Sequence, residues 1–263
     1  MTGRLAALVL VLVTLAGCSS IGSTPPGSAT PSAPGPSAPS SPGTATGSPT
    51  ASPDATRSAP ESATPVSLTR VTVSPISDAQ WSRMVATGVW RPGCPVGRSG
   101  LRRVDLPYVG FDGTTHRGAL VVNADVASSV VRVFTQLYRD RFPIHRMTPI
   151  EAYGGDDDAS MAADNTSAFN CRQPGQANAP SSKSPHANGR AVDLDPYENP
   201  WVDPRCSCFQ PDAYYGSHRS GTGVVVKGGA AWRAFTREGW TWQDSTTIDY
   251  QHFDTGYPSR PVR

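Results

Sequence analysis

The stretch SPHANGRAVDLD, residues 184–195, decides how this chain is read, because it joins a histidine, a glycine turn and an alternating apolar and acidic segment. A strand beginning at Ala191 turns Val192 and Leu194 into the core and sets Ala191, Asp193 and Asp195 on the other face. Gly189 permits the turn that carries His186 back over that second face. His186 and Asp193 can then converge on one point.

Such a pair needs a third partner. Of the five histidines, His116, His145 and His218 read as surface or hydrogen-bonded residues. His252 differs, because it lies in DYQHFD, residues 249–254, an aromatic, strand-like setting. Two imidazoles and one carboxylate make an open zinc site whose fourth position is left to water. Zinc lowers the pKa of such a water to about 7. A carboxylate must still take the proton and pass it to the leaving amine. Asp249 is the candidate, but residues three apart face opposite sides of a regular strand, so the chain has to bend between Asp249 and His252. Asp195 and Asp254 are read as solvated residues outside the site.

The rest of the chain supplies the setting. Residues 1–17, with one positive charge at Arg4 and an apolar run from Leu5, read as an export signal too short for a spanning helix. Leu15-Ala16-Gly17-Cys18 resembles a bacterial lipobox, which would place lipid on Cys18 and anchor the protein without spanning the membrane. From there to residue 66 the chain is mostly Pro, Ser, Thr, Ala and Gly, with no aromatic residue and only Asp54, Arg57 and Glu61 charged. Such a segment cannot bury enough apolar surface to offset its ordering entropy. As a flexible coil it would span roughly 40 Å, and up to about 150 Å if its prolines hold it extended. Residues 67–263 remain as one domain with a core of its own. The formal charge is +2 and no basic block stands out, which argues against a nucleic-acid partner.

Besides Cys18 there are Cys94, Cys171, Cys206 and Cys208. An even number in an exported domain favours disulfides over thiol chemistry. Three connectivities are possible. Cys94 with Cys171 is preferred, which leaves Cys206 to bridge Cys208 across Ser207 in a tight geometry.

Ser77-Asp78-Ala79-Gln80 has the form of a capping box before a short helix that carries Trp81, Met84 and Val85 and stops at Gly88. Leu120, Val121 and Val122 suggest a strand. Val126, Val130, Val133, Phe134, Leu137 and Tyr138 form a core-facing stripe on a helix over residues 125–141, ended by Pro143. Another helix is expected over 230–238 with Gly239 as its terminal glycine, and a polar loop over 154–165. Strands and helices that do not alternate regularly indicate α+β, built on a mainly antiparallel sheet with flanking helices.

These residues carry a likeness. SPHANGRAVD, residues 184–193, resembles the Ser-x-His-x-x-Gly-x-Ala-x-Asp signature of the VanY-like D-alanyl-D-alanine carboxypeptidase family of zinc peptidases, and DYQHF, residues 249–253, is similar to that family's acid-x-x-His ending. FPIHRM, NTSAFNCR and DPYENPWV resemble segments of a secreted subgroup, extending the likeness over about residues 90–256. The resemblance implies the α+β fold shared with the hedgehog signalling domain, zinc on His186, Asp193 and His252, and a base at Asp249. It also implies an arginine facing the metal from the strand before the histidine motif, which is Arg172. A guanidinium there could hold a peptide carboxylate or stabilise an oxyanion. On a strand, Cys171 would face the opposite way. GWTWQD, residues 239–244, departs from the Gly-Trp-x-Trp-Gly-Gly pattern of the subgroup, with Gln243 and Asp244 in place of glycines. Trp240 and Trp242 could wall the cleft or belong to the core.

The expected function is therefore zinc-dependent hydrolysis of peptide bonds in peptidoglycan stem peptides, as a D,D-carboxypeptidase or an endopeptidase, on the outer face of the membrane. The alternative is a non-catalytic, zinc-containing wall-binding or signalling module of the same fold.

Overall fold

The computed structural model of the chain describes residues 69–172, 175–176, 183–244 and 248–262. They belong to a compact unit, Glu61–Arg263. The expected signal segment, Cys18 and the linker to residue 66 lie outside the described residues.

The chain enters through β1 (Thr72–Pro75), α1 (Asp78–Ala86), β2 (Leu101–Val109), β3 (Thr115–Asn123) and α2 (Ala127–Arg139). It continues through β4 (Arg146–Met147), α3 (Asp157–Ala162), β5 (Asn165–Thr166) and β6 (Ala191–Asp193). After these come β7 (Trp201–Asp203), β8 (Cys208–Gln210), α4 (Tyr214–Ser217), α5 (Ala230–Arg237), β9 (Thr241–Asp244) and β10 (Ile248–Asp254). The fold is α+β. One antiparallel sheet runs β1-β2-β3, a second runs β6-β10-β7-β8 with β9 also pairing β10, and β4 pairs with β5 in parallel.

The β2–β3 hairpin is closed by Asp112-Gly113. Asp112 Oδ1 accepts the Thr114 N–H at 2.9 Å, and Gly113 takes φ +73°, which a side chain would oppose. Val126, the cap of α2, and Val130, Val133, Phe134 and Leu137 on it are all at most 1% exposed, so the predicted stripe is the core face up to Leu137, while Tyr138 is half-buried with its hydroxyl on Thr115. Burying a side chain of this size stabilises by about 1.5–3 kcal/mol over leaving it exposed. The helix ends at Arg139, well before Pro143. Arg141 takes φ +52° while its N–H reaches Tyr138 O and the Phe142 N–H reaches Leu137 O. That pattern satisfies the last carbonyls, with an arginine where glycine would have signalled the stop.

At α1, Ser77 accepts the Gln80 N–H at 3.2 Å, but the Gln80 side chain donates to Glu151 Oε1 at 2.8 Å instead of returning to the cap. Half of the capping box is present. Met84 is fully buried, whereas Val85 is 45% exposed. The segment 154–165, expected as a loop, contains α3. Asp156 caps it by accepting the Ala159 N–H at 3.1 Å, and the helix is too short for periodicity to reveal.

The main core joins α2, α5, β2, β3, β6 and β10 through residues such as Leu120, Phe134, Val192, Leu194, Phe235 and Phe253. Trp240 belongs to it, 3% exposed, with Nε1 donating to Ser129 Oγ at 2.8 Å. Trp242 packs against the same core and donates to Tyr250 O at 2.8 Å. Trp240 is therefore a core residue, and Trp242 lies half-buried at the core's edge. A second cluster around Met84, Leu101 and Phe169 contains Cys171, which is bridged to Cys94 with Cα atoms 6.0 Å apart. Cys206 is bridged to Cys208.

Candidate metal centre and cleft

The turn of residues 184–190 docks on the end of β3. Gly189 O accepts the Asn123 N–H at 2.8 Å, and Asn123 Nδ2 donates to Asn188 O at 3.0 Å. Gly189 has φ +65°, and a Cβ there would lie 2.7 Å from Asn123 N. No other residue fits so close to that backbone. The turn lowers His186 into the interior, 4% exposed, where its Nδ1 donates to Ala168 O at 2.7 Å.

Opposite the turn, β6 and β10 run antiparallel with His252 paired directly to Asp193. Directly opposed residues hold their Cβ atoms about 4.5–5.5 Å apart, so register alone joins the imidazole to the carboxylate. His252 Nδ1 lies 3.0 Å from Asp193 Oδ1, His186 Nε2 lies 3.1 Å from Asp193 Oδ2, and the two ring nitrogens are 3.0 Å apart. On its far side His252 Nε2 meets Asp254 Oδ2 at 3.0 Å.

The outward bonds assign the protons. Ala168 O can only accept, so His186 Nδ1 carries hydrogen and Nε2 turns its lone pair inward. Asp254 accepts from His252 Nε2 in the same way, which leaves Nδ1 facing inward as an acceptor. With both imidazoles neutral, two lone pairs and a carboxylate thus face one another with no donor between them. Such an arrangement calls for a cation. The three ligand atoms lie within 4.8 Å of one another, and two imidazoles with one carboxylate are a donor set that suits zinc. The field is strongly negative. Burial pulls His252 down, but its bonds to Asp193 and Asp254 win and raise it to about 10. Without a metal, a proton on His252 Nδ1 meets that demand, donating to Asp193; burial likewise pushes Asp193 up, yet His186 and His252 hold it far below the usual carboxylate range.

The bend needed between Asp249 and His252 exists. From Asp249 to Phe253, β10 advances four residues while its partner β9 moves by one, from Gln243 to Trp242. The ladder bulges between them. Asp249 therefore joins Asp193 in lining a small cleft together with Asp157, Met161, Arg172, Trp201 and Gln251. Its Oδ1 is buried without a hydrogen-bond partner. Burial, helped by Asp193 and opposed by His252, His186 and Arg172, pushes Asp249 up to about 6.

Arg172 reaches this cleft by another route than a strand. It stands in the left-handed region, φ +53°, with its N–H donating to Asn170 Oδ1 at 2.9 Å. Its carbonyl accepts from Arg91 Nε and Nη2, both at 3.2 Å. The guanidinium donates through Nε and Nη2 to Asp157 Oδ2 at 3.1 and 3.0 Å. The opposed directions of Cys171 and Arg172 thus come from a backbone turn, not from strand alternation.

Two acidic residues expected in solvent are buried. Asp254 is 1% exposed, and besides His252 it accepts from the Gly256 N–H at 2.6 Å and from Gln243 Nε2 at 3.0 Å. Strand β6 stops at Asp193, so Asp195 leaves the expected strand face. It turns at φ +41° and is fully buried, where it accepts from the His145 N–H at 2.9 Å. Of the other histidines, His116 pairs with Asp112, His145 lies beside Asp164, and His218 stacks on Tyr214. Sequence reasoning did not anticipate Asp157, Trp201, Gln243 or Gln251 at the site. Gln243 stands out in the sequence only as a departure from the subgroup pattern. The others stand far from the motifs in sequence or beside them without any signature.

Over residues 177–255 the chain is similar to a family model described as D-alanyl-D-alanine carboxypeptidase. That span contains His186, Asp193, Asp249 and His252 and begins after Arg172. No curated protein and no solved structure matches the chain.

Proposed function

We propose that this chain is a zinc-dependent peptidase that hydrolyses peptide bonds in peptidoglycan stem peptides, as a D,D-carboxypeptidase or an endopeptidase. The observation that carries this reading is the convergence of three inward-facing acceptors, His186 Nε2, His252 Nδ1 and the Asp193 carboxylate, beside the buried carboxyl of Asp249. The similarity over residues 177–255 supports the same reaction class.

His186, Asp193 and His252 would hold the metal. Zinc in such a site supplies a Lewis acid that lowers the pKa of water to about 7. Asp249 takes a proton from the attacking water and returns it to the leaving amine. Burial pushes Asp249 up in the metal-free chain, the direction that makes a carboxylate a better proton acceptor. Arg172 faces the same cleft and offers positive charge to a substrate carboxylate or to the oxyanion that develops at the scissile carbonyl. Asp157 keeps the guanidinium in place by holding its Nε and Nη2 edge. Asp254 and Ala168 O orient the two imidazoles from behind, as partners of metal-bound histidines do.

The same proposal places the protein outside the membrane. Residues 1–17 act as the export signal, lipid on Cys18 anchors the chain, and the segment to residue 66 tethers domain 67–263 within reach of a polymer that cannot diffuse. The test is to incubate the purified protein with defined muropeptides, with and without a chelator, and to identify the products by mass. Release of alanine or of a shorter stem peptide, abolished by chelator and restored by zinc, is expected. Intact muropeptides under every condition would overturn the reading.

A further inference from the structure

Three residues that line the cleft carry buried polar atoms with no hydrogen-bond partner: Asp249 Oδ1, Trp201 Nε1 and Gln251 Oε1. The mechanism above uses only Asp249. Buried polar side-chain atoms are nearly always paired, and each exception calls for an explanation.

The contrast within this molecule is specific. Trp90, Trp240 and Trp242 each donate their indole N–H, to Val96 O at 2.9 Å, Ser129 Oγ at 2.8 Å and Tyr250 O at 2.8 Å. Trp201, 6% exposed, is nearly as enclosed as Trp240 and more so than the half-buried Trp90 and Trp242, and its N–H meets nothing. The buried amides behave alike. Gln80 donates to Glu151, and both ends of Asn199 are occupied by backbone groups and Arg219. The side chain of Gln251, 2% exposed, hydrogen-bonds through Nε2 to Met161 Sδ at 3.5 Å. That contact fixes the amide while its Oε1 meets no donor.

The two groups are also placed together by register. Trp201 on β7 is the direct cross-strand partner of Asp249 on β10, and Gln251 follows Asp249 within the bulge. One unused donor and one unused acceptor therefore flank the proton-transfer residue, complementary to the C=O and N–H of a peptide. We infer that Trp201 and Gln251 bind the substrate backbone, Trp201 Nε1 donating to a peptide carbonyl and Gln251 Oε1 accepting a peptide N–H. The inference rests on the proposed peptidase reading and adds the two groups that seat the peptide. Backbone recognition of this kind is indifferent to the substrate's side chains, so specificity for the residue at the cut falls to the cleft walls, Met161 and the Trp201 ring.

The test compares Trp201→Phe and Gln251→Leu with the wild type in steady-state hydrolysis of a muropeptide, with zinc content and melting temperature recorded for each. Each variant is expected to raise KM about tenfold, the usual cost of one hydrogen bond, with kcat within about twofold of wild type, as for binding shared by ground and transition states. Zinc content should not change. A substrate analogue carrying an ester oxygen in place of each backbone N–H in turn gives a check that needs no folded variant. One such replacement should raise the wild-type KM about tenfold, and the same analogue should suffer no further loss with Gln251→Leu. KM values unchanged in both variants with zinc retained, or no ester position that weakens binding by wild type, would overturn the inference. Wild type that cleaves no muropeptide would instead overturn the peptidase reading. In that event calorimetric binding of the uncleaved muropeptide to wild type and Gln251→Leu still decides whether the pair seats a peptide.

Discussion

His252 and Asp193 stand directly opposite each other on the antiparallel strands β10 and β6, with Nδ1 3.0 Å from Oδ1. A slip of one residue in that register would send either side chain to the wrong face. The pairing is held by core residues on both strands, Val192 and Phe253, which are opposed at the next position and fully buried. Packing of the apolar face thus sets the geometry of the polar one.

Asp249→Asn keeps the size of the side chain but cannot accept a proton. Hydrolysis should fall by about a hundred- to ten-thousand-fold while zinc content, measured by elemental analysis, stays at the wild-type level. Turnover near wild type with zinc retained would mean that another group carries the proton.

The residues behind His252 should tune metal affinity. Asp254→Asn, which weakens the hold on His252 Nε2, is expected to lower zinc affinity about 10- to 100-fold in chelator competition. Gln243→Ala removes one donor to Asp254 and should move affinity in the same direction by less. His252→Ala, which deletes a proposed ligand, should lose more than either.

The two disulfides should differ in weight. Cys94–Cys171 closes a sequence separation of 77, whereas Cys206–Cys208 closes one of 2. Chain-entropy arguments scale the stabilisation with loop length. Replacing both Cys94 and Cys171 by alanine should cost about 2–5 kcal/mol in denaturant unfolding, and replacing both Cys206 and Cys208 distinctly less.

Glu198 gives a pH dependence of stability. Burial, then repulsion by the neighbouring Asp164 carboxylate and a hydrogen bond with it, push it from 4.5 up to about 8. Between those values the folded chain keeps a proton that the unfolded chain releases, so stability falls as pH rises from about 5 to about 8. Glu198→Gln abolishes this titration. Its melting temperature should therefore drop less than that of wild type between those two pH values, and an identical slope in both proteins would contradict the assignment.

Cys18→Ser should shift the protein from the membrane fraction to the soluble fraction, since the anchor is proposed to be lipid on that thiol. Persistence in the membrane fraction after salt washing would place the anchor elsewhere.

The short-range pattern of residues 184–195 was enough to bring His186 and Asp193 together, because Gly189 and strand alternation act over a few residues. The stripe of α2 was legible for the same reason. The sequence also raised the difficulty at Asp249 and His252 without resolving it, since a bulge depends on how β10 pairs with β9, and pairing is a property of two segments. Likewise Asp254 and Asp195 carry no local mark of burial. Whether a carboxylate is solvated or enclosed depends on what packs over it, and here Gln243 and the backbone of His145 arrive from other parts of the chain. Arg172 was placed at the cleft by likeness, but its path there, a left-handed residue held by Asn170, Arg91 and Asp157, belongs to the tertiary structure. Local geometry decides which side chains can converge. Only the packed fold decides which of them lose their water, and that loss makes Asp249, Trp201 and Gln251 groups in want of a partner.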